Sequence, residues 1–275
     1  MSDNHGILPQ IRDEGIELLL ICGDIVPLSF QNDMELTQWW FNSKFREWAE
    51  NLPVEKVVFI AGNHDIMIER DPDWFKVEFP KHSKVTYLQH ELYEYISSQD
   101  GAVYSIFGTP YCKIFGRWAF MRDSETLEKL YGEIPENLDI LISHDSPLLG
   151  GLGFIHQSVR WGNQEAGNGI LADAILEKKP KYFFSGHIHS GTHQLQEIDE
   201  IKLANVSIVD EYYDNVYTVD YDLNKIAETI ELIMNDSVDS RREMGKRAQD
   251  FVINNKNCDI QISRMLDFIK RQIVS

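Results

Sequence analysis

Asp3, His5, Asp24, Asn63, His64, Asp65, His144, His187 and His189 are the residues whose types and spacing could do chemistry together. They sit in five short signatures: Asp3-Asn4-His5, Gly23-Asp24, Gly62-Asn63-His64-Asp65, Ser143-His144 and Gly186-His187-Ile188-His189. Carboxylates, imidazoles and an amide oxygen suit borderline-to-hard divalent cations such as Zn2+, Mn2+ or Fe2+, and the set lacks the cysteines of a structural zinc knuckle. A single histidine is more often structural or on the surface. Here five of nine histidines fall within the signatures, and four of the five signatures close an apolar run. In His187-Ile188-His189, extended backbone would aim both imidazoles to one side and Ile188 to the other.

The apolar runs are Leu18-Leu19-Leu20-Ile21, Val57-Val58-Phe59-Ile60, Ile140-Leu141-Ile142 and Tyr182-Phe183-Phe184. Short bounded runs of this kind read as strands buried on both faces, and open α/β sheets present ligands beyond the carboxyl ends of such strands. Further strands are predicted at 85–88, 92–95, 103–107, 206–209 and 216–219. Residues 33–50 predict an amphipathic helix capped by Asp33, with Leu36, Trp39, Trp40, Phe45 and Trp48 packing into the core. Helices are also predicted over 124–130 and over 170–177, the latter ending before Pro180, while 71–99 reads as loops around its two short strands. Gly150-Gly151-Leu152-Gly153 lacks the spacing of a phosphate-cradling P-loop and reads as a flexible loop. From Leu223 the pattern becomes helical, over 223–235, 237–254 and 259–273, which divides the chain into 1–221 and a C-terminal helical extension, 222–275.

A chain of 275 residues can bury a proper core, and 43% hydrophobic with 25% charged content is that of a soluble globular protein. With no apolar stretch near the length of a membrane span and no leader-like start, the reading is a cytoplasmic protein without membrane partners. Cys22, Cys112 and Cys258 are few, odd in number and far apart, as free thiols are, and Cys22 reads as a small buried hydrophobe. The net charge of −18 argues against a broad nucleic-acid-binding face, although residues 241–275 carry +4 of their own. An acidic chain can still hold phosphate if divalent cations reverse the local sign.

The ordered set D-x-H, G-D, G-N-H-D, H and G-H-x-H resembles the calcineurin-like metallophosphoesterases, with all five signatures in family order over roughly residues 2–220. The resemblance implies an α/β fold, a two-sheet β sandwich flanked by helices. It also implies two divalent metal ions (Mn2+, Zn2+ or Fe2+), the first held by Asp3, His5 and His189, the second by Asn63, His144 and His187, with Asp24 bridging them. The implied reaction is hydrolysis of small phosphodiesters or phosphomonoesters, nucleotides among them, by attack of a metal-bridging hydroxide. His64 would be the general acid, oriented by a carboxylate that could be Asp65; the other reading of Asp65 is a turn or helix cap. Arg117, Arg160 and His193 are weaker candidates for substrate contact.

Gly108-Thr109-Pro110-Tyr111, Trp118-Ala119-Phe120 and the run from Asp139 to Leu148 further resemble the branch related to brain phosphodiesterases that act on cyclic nucleotides. That branch more often has Gly-Pro-Pro after the histidine, where this chain has Asp145-Ser146-Pro147, which weakens transfer of the substrate. Ile25-Val26-Pro27 after Asp24, in place of Asp-Arg-Gly, disfavours a protein Ser/Thr phosphatase. The tail is similar to the C-terminal helices of family-four glycosyltransferases, without a sugar-nucleotide site upstream, and reads as an appendage that covers the sheet or mediates homo-oligomer formation. The reading from another class is a non-catalytic metallophosphoesterase-fold scaffold for protein interaction.

The first signature departs from the pattern of the other four. Only Met1 and Ser2 precede Asp3, so the core strand that should carry Asp3 and His5 is missing. The expectation is a truncated or miscalled start, or a first metal site held weakly by a frayed terminus.

Overall fold

A computed structural model describes residues 1–11, 15–78, 84–158 and 162–208. In chain order the elements are β1 (Leu18–Cys22), α1 (Met34–Trp40), a π-helical turn (Phe41–Phe45), α2 (Arg46–Asn51), β2 (Lys56–Ile60), α3 (Ile66–Arg70), α4 (Pro72–Glu78) and β3 (Val85–Tyr87). Next come β4 (Glu91–Ile96), β5 (Val103–Thr109), β6 (Cys112–Lys113), β7 (Met121–Arg122), α5 (Ser124–Gly132), β8 (Ile140–Ser143), β9 (Phe154–Ser158) and β10 (Gly162–Glu165). The last are α6 (Gly169–Lys178), β11 (Tyr182–Ser185), β12 (Gln196–Ile198) and β13 (Ile201–Asn205). The helices expected after Leu223 and the strand expected at 216–219 lie outside the described residues.

Two sheets form the middle of the fold. The smaller is parallel, in the order β1-β2-β3, and the larger runs β12-β13-β11-β8-β5-β4 with four parallel inner strands and antiparallel edges. The period of two along each strand explains how both faces are buried. Val57 and Phe59 of β2 pack with the helices from α1 to α4, whereas Val58 and Ile60 turn to the other sheet and meet Ile106 and Ile142. Leu141 and Phe183 of the larger sheet face α5 and α6 through Leu127, Tyr131, Leu171 and Ile175. The result is the expected α/β sandwich of two sheets with helices outside both, and each apolar run closes at the same end of the sandwich as its neighbours.

Local differences from expectation have identifiable causes. Asp33 caps α1 by accepting from the Leu36 N–H (3.0 Å), but the helix widens into a π turn after Trp40. An extra residue in one turn rotates the two flanking helical segments relative to each other by about 100°. Trp40, Phe41 and Phe45 are thereby buried, and Leu36 and Trp39, expected in the core, are 40% and 51% exposed. The stretch expected as loops, 71–99, holds α4, and Pro72, at its first position, sits where a helix tolerates a missing N–H. The strand expected at 206–209 lies earlier in the chain: β13 ends at Asn205, and residues 206–208 are not in a strand.

No strand precedes Asp3, but the terminus is not frayed. Met1 to Asp3 form a short stub, with an isolated bridge at Ser2, held between the two sheets. On one side the Met1 ammonium donates to the Leu20 carbonyl (2.8 Å), the Cys22 N–H to Met1 (2.8 Å) and the Asp3 N–H to Gly23 (3.0 Å). On the other, Ser2 donates to the Val206 carbonyl (2.8 Å) and Ile208 donates to Ser2 (3.0 Å). Residues 1–3 therefore stitch β1 of one sheet to the segment after β13 of the other, and Ser2 and Asp3 are fully buried. Gly186 permits this approach, since a Cβ there would lie 1.9 Å from Ser2 Oγ and 2.4 Å from Asp3 Oδ2. Gly186→Ala is expected to lower stability by about 1–3 kcal/mol in urea titrations, and to weaken retention of divalent metal through the displaced Asp3.

Candidate metal centre

All five signatures meet at this sheet end. The donor atoms of Asp3, His5 and His189 lie within 4.8 Å of one another, as do those of Asp3, Asp24 and His144. His189 Nε2 is 3.4 Å from Asp3 Oδ1, and His5 Nε2 is 4.0 Å from Asp24 Oδ2. His144 Nε2 stands 2.9 Å from Asn63 Oδ1 and 3.5 Å from Asp24 Oδ2. The His187 ring centroid is 5.0 Å from that of His144, and the His187 N–H donates to both Asp3 oxygens (3.0 and 3.2 Å).

The backbone is bent hard to make these approaches. Asp3, His5, Asp24 and His187 all have positive φ (54°, 40°, 54° and 68°), a region costly to residues other than glycine and held only where surroundings over-determine it. Gly62 opens its signature for steric reasons: a Cβ there would lie 2.3 Å from Asp24 Oδ1. That same Asp24 oxygen accepts the His64 N–H at 2.7 Å, tying the second and third signatures together.

The donor set fits divalent cations on electrostatic grounds. Nδ1–H of His144 donates to the Cys22 carbonyl (2.9 Å), so in the neutral ring the Nε2 lone pair faces two oxygens, an arrangement that calls for a positive charge between or upon them. Burial opposes a charge on His144, yet the Asp24 and Asp3 carboxylates outweigh it and raise its pKa. Burial likewise opposes ionisation of Asp3 and Asp24, but imidazoles reverse the balance: His189, His144 and His5 hold Asp3 well below the usual carboxylate range, and His144, His64 and His5 lower Asp24. Burial pushes His5 down and His187 down to about 3, which favours the neutral, ligating form of each ring. Buried His5 Nδ1 finds no hydrogen-bond partner among the described residues.

The His64 ring centroid lies 5.3 Å from that of His5, and its Nδ1 lies 2.8 Å from Gln31 Oε1. Gln31 was not among the sequence candidates, because an amide in a loop carries no motif. Asp65 is not the partner of His64; it stands at the N-cap position of α3, as the other reading had it, but its side chain makes no capping hydrogen bond. Its carboxylate accepts from the N–H groups of Ile25 (3.0 and 3.2 Å), Val26 (2.9 Å) and Gly62 (2.7 Å), latching the loop after β1 to the loop after β2. Burial and the nearby Asp24 push Asp65 up to about 7 against the pull of those three donors.

Among the weaker candidates, Arg117 is exposed on the loop between β6 and β7, and Arg160 lies outside the described residues. Both ring nitrogens of His193 are engaged by carbonyls, Asn205 at 3.2 Å and His189 at 2.9 Å, so that ring holds the loop in place. Cys22 is buried with its thiol pushed up to about 12 by burial, an inert group.

The chain matches the calcineurin-like phosphoesterase family model over residues 2–191 and belongs to that family. It is 30% identical over 208 residues to human Metallophosphoesterase domain-containing protein 1, a match covering 70% of this chain and 60% of that protein. It is 24% identical over 226 residues to a UPF0046 protein of Caenorhabditis elegans, covering 78% of this chain and 74% of the relative. Among solved structures, a phosphopantetheinyl hydrolase from Mycobacterium tuberculosis aligns with a TM-score of 0.46 at 13% identity, over 79% of this chain and 92% of that one. No helix among the described residues is long and apolar enough to cross a membrane.

Asp65→Ala strands three buried N–H groups and is expected to lower unfolding free energy by about 3 kcal/mol in urea, whereas His64→Ala leaves it nearly unchanged. Equal midpoints for Asp65→Ala and the wild type would contradict the latch.

Proposed function

We propose that this chain is a metal-dependent phosphoesterase acting on small phosphoesters, with phosphodiesters slightly preferred over monoesters and nucleotides within its range. The observation that supports it most is the convergence of two donor clusters sharing Asp3, with a histidine that belongs to neither, His64, 5.3 Å from His5 between ring centroids. In this reading Asp3, His5 and His189 hold one divalent ion, Asn63, His144 and His187 hold the second, and Asp24 stands between them. Mn2+, Zn2+ and Fe2+ all suit these ligands. Such an ion pair supplies a water nucleophile activated at neutral pH and neutralises phosphate oxygens.

The chain's own groups do the rest. His64 gives a proton to the departing alkoxide from Nε2, because Gln31 occupies Nδ1 and fixes the ring. A neutral amide partner orients the imidazole without adding a charge to the site. Cys22, through its carbonyl, holds His144 in the tautomer whose Nε2 points inward. Asp65 keeps the loops carrying Asp24 and Asn63 in register and takes no part in proton transfer. The reading from another class, a non-catalytic scaffold, makes no use of His64 or of a strained and buried donor set.

With Mn2+ the full chain should hydrolyse a bis-aryl phosphodiester, and a chelator should abolish this. His64→Ala should lower turnover by about a hundredfold or more while leaving about two metal ions per chain by elemental analysis. Absence of metal-dependent turnover by well-folded protein rejects the enzyme in favour of the scaffold.

A further inference from the structure

The loop from Ile114 to Trp118, between β6 and β7, exposes three large apolar side chains beside the donor cluster: Ile114 (60% exposed), Phe115 (51%) and Trp118 (38%). Two of them touch it. The Trp118 ring centroid is 4.5 Å from that of His64, and the Phe115 centroid is 5.0 Å from that of His187. They thus flank two different histidines, one proposed to protonate the leaving group and one proposed to hold a cation.

The loop is held from below at both ends. β6 pairs with β7 at its neck, and the Cys112 N–H donates to the Phe120 carbonyl (3.0 Å). The Lys113 N–H donates to buried Asp145 (3.0 Å), while Lys113 Nζ donates to the carbonyls of Gly167 (2.7 Å) and Ala166. At the far end the Ala119 N–H donates to the Asn63 carbonyl (3.1 Å), inside the third signature. Asp145, which departs from the resembled branch at this position, is therefore the anchor of the aromatic loop. Aromatic rings left in water on so fixed a support lose little freedom when a ligand covers them, which is how preorganised recognition surfaces gain affinity.

We infer that Phe115 and Trp118 form an aromatic jaw that selects phosphoesters carrying a flat aromatic substituent over those carrying small alkyl groups. The inference rests on the phosphoester reading and names its substrate class. An ester group leaving the cage between His64 and His187 meets a ring on either side, and ring stacking then adds to the charge interaction made by the phosphoryl group.

The test uses the full chain with Mn2+ and two non-hydrolysable probes of equal charge, phenylphosphonate and methylphosphonate, with binding measured by calorimetry. The wild type is expected to prefer phenylphosphonate by about tenfold. The double variant Phe115→Ala, Trp118→Ala should reduce that preference to within about twofold, and Trp118→Phe should retain most of it. Both side chains are half exposed, so folding is readily checked by circular dichroism. Equal affinities in the wild type, or a preference that survives in the double variant, overturn the jaw. Failure of the phosphoester reading shows separately, as absent metal-dependent turnover of alkyl and aryl esters alike.

Discussion

Two carboxylates, Asp3 and Asp24, are buried at one end of the sheet sandwich within reach of imidazoles. A buried charge costs several kcal/mol unless something opposite compensates it. Nearby imidazoles, His189 and His144 foremost, favour their ionised forms and are themselves good metal ligands. This constraint organises its surroundings: the left-handed backbone at Asp3, His5, Asp24 and His187, the close glycines at 62 and 186, and the Asp65 latch all bring donors to those two carboxylates.

The sandwich converts an ordinary folding pattern into that geometry. Strands buried on both faces need apolar residues throughout, so polar residues can first appear where the strand stops. Because β1 and β2 lie side by side in one sheet, and β8 and β11 in the other, their stopping points share one end, and polar signatures at those ends become neighbours. Residues 1–3 complete the arrangement by pairing with both sheets, so that Asp3 is carried in by backbone bonds and not by a long strand.

The strands and their ends were legible because hydrophobic runs of fixed length bounded by glycine leave few alternatives, as β2 at Lys56–Ile60 illustrates. The convergence of the five signatures was legible through their order. Other features depended on tertiary context. The pairing of Met1 and Ser2 uses backbone groups alone and has no side-chain signal. The π turn at Phe41–Phe45 rotates Leu36 and Trp39 outward although their spacing is helical. The positions of Asp65 and Gln31 were hidden because the donors they meet, at residues 25, 26 and 62 and at His64, come from distant loops.

We propose that these residues form a cage for two cations and not merely a cluster of buried polar groups. Crystals of the full chain grown with Mn2+ and measured at the manganese absorption edge test it directly. Two anomalous peaks are expected, one among Asp3, His5 and His189 and one among Asn63, His144 and His187, with Asp24 between them. A single peak, or none, at saturating Mn2+ would contradict it.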